Sequence, residues 1–372
     1  NLNDNQALIL GAAALSPCRL ITADAKQNGA DGITRTKDNF TFSDGPSLTL
    51  LDIDFKQCPH PTVDVISMLT QVTNEPFGHV MRGSTTSGIT GLDGQLLAGS
   101  NGCHIYVIVQ KGSNIPRITE VLHQRLILNG YGFVFISKSG QAEVRTPVDV
   151  KVGSPERVIY EAAPILLPSH TQYRQCESVA GGLLLVDVLT GSQLQKVEKV
   201  EADLLQRALP SINAKKKEWR DSRGLTEKAA EAVFDNKILP VDFILTNNDN
   251  STFTVADVWA SPDAYSGRSI RDSLDPEYGK NKAKIYVNKE VDGCIDNIYI
   301  HSMAHGGGIK YRLEQPVEMV FADVPVDDLQ TGAVSNDRIP QGNNLCFPIF
   351  PSTRPSSSRP GRAHRQTKSN AW

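Results

Sequence analysis

Leu48-Thr-Leu-Leu-Asp-Ile-Asp-Phe55 is an apolar run that carries two acids, Asp52 and Asp54. A run of this length and composition reads as a buried strand. Strand side chains alternate between faces, so the two acids project from one face about 7 Å apart. Two carboxylates held side by side repel, and they resist burial unless a cation neutralises them. Hard oxygen donors on a rigid strand suit Mg²⁺ or Mn²⁺, ions that keep part of their water shell and also take phosphate oxygens. An exposed strand edge with two solvated acids satisfies the same spacing.

Outward from this strand, residues 1–175 alternate between helical and strand-like patterns. Ala7–Leu15, Val63–Val72 and Ile118–Leu128 space their apolar residues as helices do. His104–Val109, Phe133–Ile136 and Val148–Val152 are short and rich in β-branched or aromatic residues, as strands are. An α+β domain is expected over 1–175. Residues 176–236 read as a helical connector: a long polar helix over Gln193–Arg220, interrupted at Pro210, then a second helix over Thr226–Phe234. Strand patterns return at Asp242–Thr246, Ala283–Val287 and Ile298–Ser302, giving a smaller α+β domain over 237–318. Residues 319–372 are a linker and a tail expected to be disordered, basic at Arg354, Arg359, Arg362, Arg365 and Lys368.

Composition narrows the classes. The 372 residues allow two or three domains. No apolar run approaches the roughly 18–20 residues that cross a bilayer, so no membrane partner is expected. A net charge of −3 excludes a global basic field, though not a local basic surface. Six scattered cysteines with no CxxC pair argue against a zinc knuckle or a disulfide framework, and a reducing cytoplasm is the expected location. No secretory leader pattern opens the chain.

Three further segments carry chemistry. Asp149, in Arg145-Thr-Pro-Val-Asp-Val-Lys151, would act as a third ligand and complete a site for two cations. Such a pair clamps the attacking and leaving oxygens of phosphoryl transfer. Lys151 is expected on the same strand face, adding positive charge. In Gly99-Ser-Asn-Gly-Cys-His-Ile-Tyr106, glycines let backbone N–H groups approach a phosphate whose oxygens Ser100 and His104 can bind. A plain turn before a strand that begins with His fits the same residues. Arg82-Gly-Ser-Thr-Thr-Ser-Gly88 is a polar, glycine-bounded loop able to contact triphosphate or template. His301 and His305 are four apart, but the strand before them and the glycines after them speak against a helical metal pair.

The order and spacing of these pieces resemble the archaeo-eukaryotic primase superfamily, in its primase-polymerase branch carried by plasmids, phages and integrative elements. The matching motifs are Asp52 with Asp54, then Ser100 with His104, then Val148-Asp149, flanked by Ile33–Phe40 and Gly153–Glu161. The resemblance implies an RRM-like catalytic core. It also implies two Mg²⁺ or Mn²⁺ ions on Asp52, Asp54 and Asp149, and nucleoside triphosphates as substrates. His104 would meet the nucleotide's phosphates, with Ser100, Arg82 and Lys151 assisting. Arg35 and Lys37 would meet single-stranded DNA. The implied reaction is 3′-hydroxyl attack on an α-phosphate with loss of pyrophosphate. Residues 254–307 resemble a module linked to primases of phages and integrated elements. No GxxxxGK[ST] occurs, so a replicative helicase would be encoded separately or missing from this chain. The other readings are a catalytically inactive single-stranded-DNA-binding replication protein and a metal-dependent nuclease or relaxase. The absence of His-x-His speaks against a relaxase.

Overall fold

The apolar run folds as β1 (Ser47–Ile53), the strand around which the first of the two five-stranded sheets among the described residues is assembled. The computed structural model describes residues 6–316 apart from residues 16, 23–24, 27, 60–62, 74, 98–101, 292 and 305–307. After β1 come α1 (Val65–Val72), β2 (His79–Gly83), β3 (Cys103–Val109) and α2 (Ile115–Leu128). The hairpin β4 (Phe133–Ile136) and β5 (Ala142–Arg145) then leads to β6 (Val148–Asp149). The sheet order is β6-β1-β3-β2, extended at one edge by β7 (Cys176–Val179), and every neighbouring pair is antiparallel. The chain is thus mixed α+β, and its first sheet includes a strand just past residue 175.

Alternation along the strands creates two unlike faces. Leu51 and Ile53 of β1 and Ile105, Val107 and Val109 of β3 point into a core closed by Met68, Leu69 and Val72 of α1 and Leu122 and Leu126 of α2. The buried residues of α1 recur at one-turn spacing from Val65 to Val72, so a single stripe meets the sheet. Asp64 caps the helix, accepting from the Ile66 N–H at 3.2 Å. Both helices lie on this inner face, leaving the residues that alternate with the core to the other side.

Three local expectations are corrected. Ala7–Leu15 is two short strands rather than a helix: Leu8–Ile9 pairs with Val158–Ile159, and Ala12–Ala13 with Phe40–Thr41. Periodicity cannot separate strand from helix in so short a run. Here Gly11 packs against Pro155 so closely that an added Cβ would lie 2.7 Å from its carbonyl oxygen, which lets the neighbouring backbone reach its partner strands. The strand over Val148–Val152 stops at Asp149, whose carboxylate accepts from the Lys151 N–H at 2.9 Å and turns the chain into a 3₁₀ helix over Val150–Val152. Lys151 therefore does not share a strand face with Asp149. Finally, α3 (Gly191–Ser222) runs through Pro210 without a break. An interior proline typically costs about 3 kcal/mol. A capping box at Thr190 and Gln193, and buried anchors at Val197, Ile212 and Trp219, offset it.

α3 joins the two halves. Its indole at Trp219 packs in the second core with Phe234 and Phe243, and its Nε1–H donates to the Leu274 carbonyl at 2.7 Å. After α4 (Glu227–Phe234), the second sheet has the order β8 (Ile238–Leu239), β12 (Ile309–Leu313), β11 (Ile295–Ser302), β10 (Ala283–Lys289), β9 (Ser269–Ile270). Only β8 and β12 run parallel among these neighbours. The halves also touch through Lys138 and Glu277, at 2.5 Å, and through Gln141 and Tyr311. Among the described residues no helix is long and apolar enough to cross a membrane.

Candidate functional site

A single transverse row crosses the outer face of the first sheet. Asp149 on β6, Asp52 on β1, His104 on β3, Arg82 on β2 and Cys176 on β7 are successive cross-strand partners. Direct antiparallel partners hold their Cβ atoms about 4.5–5.5 Å apart on one face. The register therefore puts two carboxylates, an imidazole and a guanidinium shoulder to shoulder, although neighbours in the row lie 97, 52 and 22 positions apart along the chain. Asp54 follows at the end of β1, where its backbone N–H donates to the Pro147 carbonyl at 2.9 Å.

Burial and charge act on the row together. Burial pushes the Asp52 carboxyl up to about 6, with Asp149 and Asp54 adding repulsion and the neighbouring His104 and Arg157 opposing it. His104 Nε2 lies 3.7 Å from Asp52 Oδ1, and Arg157 Nη2 lies 3.8 Å from Asp149 Oδ2.

The donor set fits a hard divalent ion, although no ready-made cage of three ligands is present among the described residues. Asp54 Oδ1 is taken by the Lys56 N–H at 2.8 Å and Asp149 Oδ1 by the Lys151 N–H at 2.9 Å. Each acid keeps a second oxygen. Mg²⁺ sites commonly use one or two carboxylates and complete the shell with water and substrate phosphate; Asp52 and Asp149, with Asp54 beside them, are the acids that would hold such an ion.

Glu161 is the residue that sequence reading passed over. It was visible only as part of a flanking segment, with no spacing to tie it to His104. In the fold it is 4 % exposed and lies over the row. His104 Nδ1–H donates to its carboxylate, as do the Tyr106 hydroxyl at 2.6 Å and Arg174 Nη2 at 2.7 Å. Burial alone would raise the Glu161 carboxyl. The donors from His104, Tyr106 and Arg174 overcome it and pull the group down to about 2. A carboxylate only accepts, so the Nδ1 proton of His104 is fixed and its Nε2 edge is turned toward Asp52.

Two cavities flank the acids. The larger, of 480 Å³, is lined by Asp54 and Asp149 and by Lys56, Arg145, Lys151 and Arg157, with Tyr278, Lys282 and Met303 reaching in from the second half. Lys151 also pairs with Glu143 across this rim. The smaller, of 310 Å³, is lined by Asp52, His104, Arg157, Tyr160 and the loop residues Ser84, Thr85 and Thr86. Arg157 lines both.

The loop after β2 is held by two bonds of 2.8 Å from Gln172 Nε2 to the Thr85 and Ser87 carbonyls. It turns at Gly88, where φ is +67° and an added Cβ would lie 1.9 Å from the Tyr173 carbonyl oxygen. Gly88→Ala is expected to lose about 2–3 kcal/mol of stability, read by urea unfolding. An unchanged midpoint would mean that the loop relaxes freely.

The remaining expectations divide. Arg82 belongs to the row and sits 3.8 Å from Glu161. Arg35 and Lys37 are exposed after a short strand at Ile33–Thr34 and line neither cavity. Ser100 and His305 lie outside the described residues, as does the basic tail. No protein-family model, curated protein or solved structure matches the chain.

Proposed function

We propose that this chain is a template-directed nucleotidyltransferase, a DNA primase-polymerase that joins nucleotides on single-stranded DNA with release of pyrophosphate. The observation that carries the reading is the row Asp149–Asp52–His104–Arg82 beside a cation-rimmed cavity. Supporting it, the order β1-α1-β2-β3-α2-β6, with the β4–β5 hairpin inserted before β6, and the sheet order β6-β1-β3-β2 agree with the β-α-β-β-α-β order expected of an RRM-like core.

Asp52 and Asp149, with Asp54, would hold Mg²⁺ or Mn²⁺. Divalent cations bound there supply charge to the attacking and leaving oxygens of the transferred phosphoryl group. The chain's own residues do the rest. His104 presents its Nε2 edge to a phosphate oxygen in the smaller cavity, held in orientation by Glu161. The hydroxyls of Ser84, Thr85 and Thr86 line the same space. Arg157, Lys56 and Lys282 face the larger cavity and suit the phosphates of a nucleic-acid strand. Catalysis of this kind rests on positioning and electrostatics rather than on a covalent intermediate.

The test is incorporation of labelled nucleotides on single-stranded DNA, with and without a primer, in Mg²⁺ or Mn²⁺. Metal-dependent synthesis is expected, and synthesis without a primer makes the enzyme a primase. No incorporation under any of these conditions overturns the reading in favour of a non-catalytic DNA-binding protein. His104→Gln is expected to weaken nucleotide binding about tenfold, one charge-assisted hydrogen bond, while DNA affinity stays near wild type. Equal loss of both would assign His104 a structural role.

A further inference from the structure

The outer face of the second sheet presents an aromatic pair among cations. Three rows of its register decide this. Lys284 pairs with His301, which pairs with Lys310; Tyr286 pairs with Tyr299, which pairs with Arg312. These positions alternate with Ile285, Ile300, Tyr311 and Leu313 of the core, so all six project from the same, uncored side. The third row, Asn288 with Asn297, is polar and uncharged.

Tyr286 and Tyr299 stack with ring centroids 5.1 Å apart and an interplanar angle of 12°. Lys284 Nζ lies 5.9 Å from the Tyr286 centroid and Lys310 Nζ 5.2 Å from that of Tyr299. None of the outward positions in these rows is acidic; Asp296 stands at the rim and accepts from Asn297 Nδ2 at 2.5 Å. In a chain of net charge −3, this concentration of cations around two rings is local and specific.

We infer that this face is a binding site for single-stranded nucleic acid, separate from the row of acids on the first sheet. Every base has a π-face, and a tyrosine offers a rigid surface on which it can stack. A base arriving on the outer side of the tyrosine pair displaces a lysine ammonium from the ring. That ammonium is then free to meet the flanking phosphate, so stacking and backbone neutralisation use the same residues. Arg312, exposed and directly opposite Tyr299, adds a planar cation for phosphate or base. Duplex DNA offers no exposed base faces to such a platform, so the site discriminates for single strands. The inference is compatible with the proposed polymerase but rests on none of its residues.

The experiment is fluorescence anisotropy of the full chain with a labelled oligodeoxythymidine about 20 nucleotides long, ample for a platform whose footprint is ~4–16 nucleotides in comparable sheet modules. Tyr286→Ala combined with Tyr299→Ala is expected to weaken binding about tenfold or more, from the loss of stacking on two rings. Tyr286→Phe with Tyr299→Phe keeps the rings and should keep the affinity. Lys284→Gln, Lys310→Gln and Arg312→Gln together should flatten the salt dependence by about 2, at about 0.7 per phosphate contact. Equal affinity of wild type and the double-alanine variant overturns the inference. So does equal weakening by the alanine and phenylalanine pairs, since that makes the hydroxyls or the fold responsible. A shift from dimer to monomer in the alanine variant, with oligonucleotide affinity intact, assigns the face to a second copy of the chain instead. The site and the polymerase fail separately: Asp149→Ala should retain this binding, and the tyrosine variants should still extend a pre-annealed primer at saturating template.

Discussion

Asp149→Ala is expected to lower metal-dependent nucleotide incorporation by at least about 10³-fold, which corresponds to about 4 kcal/mol of transition-state stabilisation. Asp149 is half-exposed, directly opposite Asp52, and keeps one carboxylate oxygen clear of the Lys151 N–H. Removing it leaves Asp52 as the sole anchor on the row and takes away charge where phosphoryl transfer needs it. The fold should survive, because relief of the like-charged cluster offsets the lost cap on the Lys151 N–H, about 1 kcal/mol. Asp52→Asn tests the same point through stability. The folded-state carboxyl sits near 6, above the ~3.9 of an unfolded aspartate. The folded protein is therefore penalised increasingly as pH rises from about 4 to about 6, and in full above that. Asn removes the penalty. The two-unit shift is nominally about 3 kcal/mol, but the side chain is 31 % exposed, and solvent screening brings the expected gain to about 1–2 kcal/mol at pH 8. In EDTA the variant should melt above wild type at pH 8 and level with it near pH 4. Added Mg²⁺ should narrow the gap by stabilising wild type. A lower melting temperature for Asp52→Asn in EDTA at pH 8 would falsify the account of a carboxylate strained by burial and its neighbours.

Glu161→Ala carries the largest expected loss of stability, about 3–5 kcal/mol. The Glu161 carboxylate is the shared acceptor of His104, Tyr106 and Arg174, and the Arg174 side chain is itself only 6 % exposed. Truncation leaves that guanidinium buried without its counter-charge, although its bonds to the Gly83 and Glu161 carbonyls remain. Glu161→Gln, which keeps the shape and loses the charge, should cost less and should still release the His104 ring. The pH dependence has a fixed sign. A carboxyl depressed to about 2 contributes its full stabilisation above the ~4.3 of an unfolded glutamate, and loses it as pH falls toward 2. Wild type should therefore lose stability between pH 4 and pH 2 more steeply than Glu161→Gln. Parallel acid-unfolding curves would remove Glu161 as the electrostatic keystone of the face. A loss of nucleotide affinity in Glu161→Gln that matches His104→Gln would show that the carboxylate acts through the imidazole.

The elements that were legible are those whose burial pattern is written locally. β1, β3, α1 and α2 have one face apolar at the strand or helix period, and each forms close to where periodicity puts it. Asp52, Asp54 and Asp149 stood out for the same reason, as acids inside apolar strands. What failed were segments whose conformation is set by distant partners or by a single side-chain bond. The run at 7–15 is strand because residues 40–41 and 158–159 pair with it. Lys151 leaves the strand because the Asp149 carboxylate captures its N–H. Pro210 stays helical because anchors on both sides of it are buried.

Residue order alone therefore determined which side chains carry charge inside the sheet, at a period of two that any strand imposes. It also determined that apolar stripes would cover the opposite face. Only the tertiary structure decided the register that sets Asp149 against Asp52 and Asp52 against His104, and that brought Glu161 over the row from 57 positions beyond His104. A strand's periodicity says which face a residue takes but nothing about which residue stands beside it. Cross-strand neighbours are chosen by the packing of the whole core, where a slip of one residue would turn every acid inward.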